Sequence, residues 1–223
     1  MLMGVENGFE KIIYGGLNKP VLERVPLNSL RILDVGCGDG SFGLEIKSRQ
    51  KVYIHGLTYS QEEADLANTK LDDVSVLDLN DLDGINSKIN SDCFDCIICS
   101  HVLEHLNWPK QFLSRMKDFL ANDGTLIVAL PNVLAWRQRL LFLLGYFRYT
   151  SGGIMDETHF RFFDYQSAIG LVQEAGYSKI EACGQGVFPM SKYLPWVGSL
   201  LNNAAVSVFP GLFSTQFLIV AKK

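Results

Sequence analysis

Short apolar runs recur along the first 130 or so residues, and between them lie stretches where apolar residues return every three or four positions. A continuous apolar run bounded by turn residues suits a strand buried on both faces, and the longer period suits a helix with one buried stripe. On that pattern Arg31–Val35, Val52–Leu57, Val74–Leu77, Phe94–Ser100 and Thr125–Leu130 are predicted as strands one to five. Ser41–Arg49, Gln61–Thr69 and Pro109–Leu120 are predicted as helices, the last ending at Asn122-Asp123-Gly124, where Asn or Gly can take a left-handed cap. Further on, Ser167–Ala175 reads as a helix capped by Gly176, and Ser178–Ala182 and Thr215–Ala221 as strands. Strands alternating with helices imply βαβ units, so the expected fold class is α/β, a doubly wound and mostly parallel sheet with helices on both faces.

The rhythm changes after Pro131. Val133–Tyr149 is apolar with Arg137, Arg139 and Arg148 interspersed; Gly152-Gly153 and the polar cluster Asp156-Glu157-Thr158-His159 follow. A second apolar stretch runs from Phe188 to Phe213. The chain is therefore expected to be a single domain over residues 1–223, with lid insertions at about 133–163 and 188–213 that make a helical lid. Within the second, Trp196, Val197, Leu200, Leu201, Ala204 and Val208 recur at helical spacing opposite Ser199, Asn202, Asn203 and Ser207. Such stripes suit packing on their own domain, a homodimer interface or an anionic membrane surface.

Composition narrows the classes. Hydrophobic residues make up 48% of the chain and charged ones 20%, a globular balance. A net charge of −4 with no Lys/Arg run argues against a nucleic-acid partner. The start lacks a basic and apolar leader, and no run approaches the roughly 20 residues of a membrane span. The five cysteines do not pair tidily, so reduced thiols in a cytoplasmic setting are expected, with contact at the inner membrane face if the lid meets lipid. Cys93, Cys96 and Cys99 form CxxCxxC, but the segment reads better as a buried strand in which free cysteine acts as a small hydrophobe.

Leu33-Asp34-Val35-Gly36-Cys37-Gly38-Asp39-Gly40 follows an apolar strand and opens a helix, so it must turn tightly and bring bare backbone near a ligand. The glycines run GxGxG, and Ser41 stands where a dinucleotide loop would want its third glycine. This segment resembles the first motif of class I S-adenosylmethionine-dependent methyltransferases, and the later strands fall where that Rossmann-like fold of about seven strands requires. The resemblance implies S-adenosyl-L-methionine as cofactor. Gly36, Cys37, Gly38 and Gly40 would surround its methionine and ribose, and Asp34 would hold the loop or reach the amino group. Asp78 would accept from the adenine amine, Leu79 would wall the base, and Ser100 and His101 would line the sulfonium side. One position departs: Thr58 stands where such families place an acid that grips the ribose hydroxyls. That substitution keeps a cofactor-binding pseudoenzyme in view.

A hydroxyl acceptor benefits from a general base, most often histidine. His101 and His105 follow strand four and would share a face on a helix; without a third ligand, no metal is expected. His55 lies within strand two and is expected to be structural. His159 and Arg161, with Leu130-Pro131-Asn132 and the 145–156 segment, resemble a subgroup from surface-polysaccharide gene clusters. That resemblance implies a sugar or glycan acceptor, with His101 and His159 as catalytic candidates and Asn132 and Arg161 toward the substrate. The alternative is that His159 and Arg161 only anchor the lid. Pro131-Asn132 before Trp136-Arg137-Gln138-Arg139 is also similar to the W-type methionine-biosynthesis proteins, which would make the chain a methyltransferase-like partner protein. An NAD-dependent sugar enzyme is disfavoured by Ser41 and by the absence of a Tyr-x-x-x-Lys pair.

Overall fold

The run Arg-Ile-Leu-Asp-Val makes β1 (Arg31–Val35), and its residues from Ile32 onward are buried on both faces, as in the middle of a parallel sheet. A computed structural model describes residues 17–89, 93–189 and 198–223. Beside β1 run β2 (Tyr53–Thr58) and β4 (Phe94–Ser100), both parallel to it. β3 (Asp73–Val76) extends the sheet past β2, and β5 (Leu120–Pro131) extends it past β4, again in parallel. β6 (Ser178–Gly186) forms the far edge, and β7 (Ser214–Lys222) inserts antiparallel between β5 and β6. The described residues thus make a seven-stranded sheet in the order β3-β2-β1-β4-β5-β7-β6.

Alternate side chains of the central strands feed two cores. Ile32, Ile54, Cys96, Ile98 and Ile127 face one layer with Val21 and Leu22 of α1 (Lys19–Leu22), Ile46 of α2 (Ser41–Arg49) and Ala67 of α3 (Gln61–Ala67). Leu33, Val35, Ile97, Cys99, Val128 and Phe217 face the other, with Ile85 of α4 (Leu82–Lys88), Phe112, Leu113 and Met116 of α5 (Pro109–Phe119), and Ala168 and Val172 of α7 (Tyr165–Glu174). Cys96 and Cys99 therefore lie in opposite cores, as the two-residue period of a strand dictates for positions three apart. Full burial of Phe112, Leu113 and Met116 stabilises the α5 contact by roughly 1.5–3 kcal/mol each.

The helix caps follow local chemistry. Pro109 presets the first turn of α5, and Asp164 with Ser167 closes a capping box on α7. Gly176 takes φ 89° after α7, as expected of its cap position. The expectation of a left-handed cap at Asn122–Gly124 is corrected. α5 ends in extended backbone at Leu120 and passes straight into β5, with an irregularity opposite Phe94–Cys96. α4 was not foreseen: Asp81 accepts from the Gly84 amide at 3.0 Å and starts a helix that Ile85 anchors in the core.

Of the expected lid, α6 (Trp136–Leu143) buries none of its residues, and 145–163 is mostly irregular. α8 (Gly198–Val208) and α9 (Pro210–Phe213) precede β7. In α8 the apolar stripe faces outward: Leu200, Leu201, Ala204 and Val208 are exposed, whereas Val206 is buried and the Asn202 side chain accepts from Phe188 N at 2.6 Å. Trp196 and Val197 lie outside the described residues.

Candidate functional site

The five parallel strands β1 to β5 end along one edge of the sheet, and the chain reverses its direction of growth between β1 and β4. Ligands of open α/β sheets bind at that edge and that reversal point. The loop leaving β1 is shaped for it. Gly36, Gly38 and Gly40 adopt φ 73°, 53° and 77°, a left-handed backbone that favours glycine. Gly36 N and Cys37 N both donate to Leu57 O, at 2.8 and 2.9 Å, which pins the loop across the end of β2. Asp39 fastens its far side, accepting from Ser41 Oγ at 2.7 Å and Lys70 Nζ at 2.8 Å. Partial burial opposes ionisation of Asp39, but Lys70 and Ser41 outweigh it and hold the carboxyl below its ordinary range. Cys37 is buried, and burial together with the nearby Asp34 pushes its thiol far up, so it serves as packing.

Asp34 is the most telling residue. It is 3% exposed, and its Oδ2 meets no hydrogen-bond partner among the described residues. Burial pushes its carboxyl up to about 7. A carboxylate kept from water without a partner is costly, and an amine held above the loop would balance it. Donor set and backbone both fit the amino-acid end of an adenosyl cofactor.

Thr58 closes β2, but its hydroxyl donates to Glu63 Oε2. A carboxylate five residues further on, in the first turn of α3, thus meets the strand end. Sequence reading did not single out Glu63. A linear motif places the acid at the strand end, whereas one helical turn folds Glu63 back onto it. Asp78 sits exposed after β3, its Oδ1 accepting from Asn80 N at 2.9 Å to close a tight turn, with Leu79 half-buried against the core beside it. Ser100 Oγ, at the end of β4, accepts from Asn18 Nδ2 at 3.2 Å.

His101 follows with φ 56°, a strained conformation for a residue with a side chain. His101 and His105 do not share a helix face: only Leu103–His105 forms a 3-10 turn, and His101 stands before it. His101 Nδ1 lies 3.2 Å from Glu104 Oε1, and Nε2 lies 2.8 Å from Gln216 Oε1. Burial works against its charge, but Glu104, by hydrogen bond and by charge, and then Gln216 raise its pKa above the ordinary value. His159 is 8% exposed and packs edge-on against His105, with ring centres 4.8 Å apart. Glu104, His105 and His159 converge, each offering one ligand atom within 4.8 Å of the others.

Asn132 is corrected as a substrate contact. Asn132 is fully buried, its amide donating to Gly211 O and Ser214 O while its Oδ1 accepts from Leu134 N, so it is a strut between β5 and the C-terminal strand. Arg161 is exposed and donates to Asn107 O at 2.7 Å. His55, within β2, is buried and meets Ser75 Oγ at 2.9 Å.

Residues 13–182 match the family described as Methyltransferase domain. The chain belongs to that methyltransferase family. The domain is similar to the mitochondrial ubiquinone biosynthesis O-methyltransferase of Rattus norvegicus, 27% identical over 193 residues that cover 82% of this chain and 54% of the relative. The chain spans about half the length of the curated relatives it matches first. Among solved structures, a SAM-dependent methyltransferase from Archaeoglobus fulgidus superposes with a TM-score of 0.63 at 18% identity, covering 88% of this chain and 87% of that one. An S-adenosylmethionine-dependent methyltransferase from Mesorhizobium loti does so at 0.63 and 16% identity, covering 94% and 99%. The seven-stranded sheet with its antiparallel β7 is thus the Rossmann-like methyltransferase fold.

Proposed function

We propose that the protein binds S-adenosylmethionine over the 36–40 loop and transfers its methyl group to a hydroxyl acceptor. The observation that carries this reading is the buried Asp34 carboxylate, whose Oδ2 meets no partner among the described residues, just before three left-handed glycines. When bound, the sulfonium supplies an activated methyl group, so the chain's residues need mainly to bind, orient and exclude water. Gly36, Gly38 and Gly40 offer backbone to the methionine and ribose. Glu63, steadied by Thr58, takes the ribose hydroxyls; Asp78 and Leu79 take the adenine; and Ser100 lines the sulfonium side. His101 receives the acceptor proton at Nε2 when the acceptor displaces Gln216, and Glu104 makes the ring more basic from behind. Turnover then rises with pH through the raised His101 pKa.

The curated relatives named as O-methyltransferases support an oxygen acceptor. Within that class the sugar or glycan acceptor is our finer reading. Calorimetric titration with S-adenosylmethionine and S-adenosylhomocysteine tests the cofactor. Methyl-labelled cofactor offered with sugar nucleotides and with hydroxylated aromatic compounds then tests the acceptor. No binding of either cofactor form ends the reading; label moving only to the aromatic panel ends the glycan part; binding with no transfer to any acceptor makes the chain a pseudoenzyme. The same titration ranks the ribose contacts. Glu63→Gln should weaken the cofactor by on the order of 1–3 kcal/mol and Thr58→Val by about 1 kcal/mol, the scales for charged and neutral hydrogen bonds. The reverse order would move the ribose away from Glu63.

The lid suits an amphiphilic acceptor or an anionic surface. Leu143 is 83% exposed, and Leu140, Leu144, Tyr146, Phe147 and Tyr149 are exposed beside it. Phe142 and Phe147 stack at 5.3 Å, and Arg148 lies over Tyr146. Arg139 instead ties α6 to α9 through Gly211 O. No helix among the described residues is long and apolar enough to cross a membrane; a peripheral contact through the lid would hold the protein at the inner membrane face. Vesicles of anionic lipid should float the protein at low salt and release it at high salt. Protein left at the bottom in both conditions removes the membrane role.

A further inference from the structure

The cofactor reading uses Glu104 only through His101, yet Glu104 is the most enclosed charged group of the site. It is 0% exposed, and its Oε2 meets no partner among the described residues. A carboxylate so removed from water calls for a cation. Two further imidazoles approach it. His159 Nε2 lies 4.0 Å from Glu104 Oε1, and one carboxylate oxygen of Glu104, one nitrogen of His105 and one of His159 all lie within 4.8 Å of one another.

The hydrogen bonds behind the two rings fix where their protons sit. His159 Nδ1 is 3.1 Å from Ile154 O, a carbonyl that can only accept, so Nδ1 donates and Nε2 keeps its lone pair. His105 Nδ1 is 3.1 Å from both the carbonyl and the hydroxyl of Thr158. The Thr158 hydroxyl donates to Asp156 Oδ1 at 2.6 Å, so both Thr158 oxygens accept from His105, and its Nε2 is left with a lone pair. Imidazoles held through one nitrogen by a backbone carbonyl, with the other nitrogen bare, are oriented as metal ligands are. The frame is rigid as well. Phe160 N and Arg161 N both donate to Glu104 O, which clamps the segment carrying His159 onto the turn carrying Glu104 and His105.

We propose that Glu104, His105 and His159 bind a divalent transition-metal cation of zinc-like preference, with coordination positions left open toward the acceptor side. Two imidazoles and one carboxylate with open positions suit Zn²⁺ and its first-row neighbours better than Mg²⁺, which prefers an all-oxygen shell. Bonds of about 2.0–2.2 Å require the three side chains to close by about 1 Å, which leaves the backbone in place. His101 stays outside the shell, its nitrogens engaged by Glu104 and Gln216. On the methyl-transfer reading, an acceptor hydroxyl at an open position would lose its proton more readily and be held beside the end of β4. That consequence rests on the proposed function; the cation site does not.

The test uses the full chain, stripped with a chelator, dialysed, and titrated with Zn²⁺ and separately with Co²⁺. About one equivalent should bind per chain, Tm should rise with added Zn²⁺, and bound Co²⁺ should show the visible bands of a low-coordinate site. His105→Ala and His159→Ala should each weaken Zn²⁺ by more than about tenfold. His105 is only half-buried, so its variant should keep the Tm of the stripped parent and its affinity for S-adenosylhomocysteine. Substoichiometric Zn²⁺ with an unmoved Tm overturns the site, as do histidine variants that bind like the parent or stabilisation by Mg²⁺ in place of Zn²⁺. A chain that binds S-adenosylhomocysteine but no metal loses only the cation site; one that binds metal but no cofactor loses only the methyltransferase reading.

Discussion

Cofactor affinity should weaken by about tenfold for each pH unit below 7, and Asp34→Asn should flatten that profile. Burial raises the folded-state pKa of Asp34 from 3.8 to about 7, so below that pH the site holds a neutral acid. Binding a ligand ammonium needs the carboxylate, and a proton must leave first. The amino group at the ligand's amino-acid end stays protonated through this range, so affinity should rise up to about pH 7 and level off above it. The sign for the free protein is the reverse of a salt-bridged aspartate. Here the folded state holds the proton more tightly, so stability falls as pH rises from about 4 to 7, by up to about 4 kcal/mol. Asp34→Asn should therefore bind cofactor poorly yet unfold at higher temperature than the parent at pH 8. Calorimetry with S-adenosylhomocysteine across pH 5.5 to 9 and thermal melts at the two ends measure both effects. A flat profile in the parent would show that Asp34 does not meet the amine.

Replacing Gly36 or Gly38 by valine should abolish measurable cofactor binding, a loss of at least about a hundredfold, or roughly 2.7 kcal/mol. At Gly36 a Cβ would stand 2.5 Å from Val102 Cγ2, and the backbone φ of 73° is one that β-branched residues avoid. Val102 leads into the turn that carries Glu104, so the displaced methyl would push that turn as well as the loop. Gly38, at φ 53°, would meet the same backbone conflict. Circular dichroism should show the sheet intact in both variants, since neither residue lies within a strand or helix. Binding at parental affinity in either variant would take the loop out of the site.

The central elements were legible because their burial is written into the chain. β1, α2 and β4 begin and end where apolar runs meet glycine, serine or polar residues, and structure and sequence agree there residue for residue. α4 escaped because Gly84, Asn86 and Ser87 are poor helix formers; the Asp81 cap was the only local sign of it. In α8 the apolar period was real, but period alone does not say which face finds a neighbour: Val206 packs while Leu200 and Val208 do not. The glycine loop and Asp34 could be read as a motif because their spacing is local. Glu63, and the meeting of Glu104 and His105 with His159, depend on how separate segments fold together. Asn132 misled because a polar residue after a strand end reads as exposed, and its partners lie about eighty positions away in chain order.

The place of β7 in the sheet bears on how the protein is made. β5 pairs with β4 on one side, but its other neighbour comes only after α6, the lid, α7 and β6 have been synthesised. Until then, a strand whose residues Thr125 to Pro131 are all buried in the finished fold presents an open row of amides and carbonyls to the cell. A ribosome paused anywhere between the two strands would hold out a sticky edge, and β6 cannot close it, because β6 docks on β7. Nascent chains halted before residue 214 should thus be the form that chaperones bind and that aggregates, whereas release of the finished strand seals both neighbours in one step.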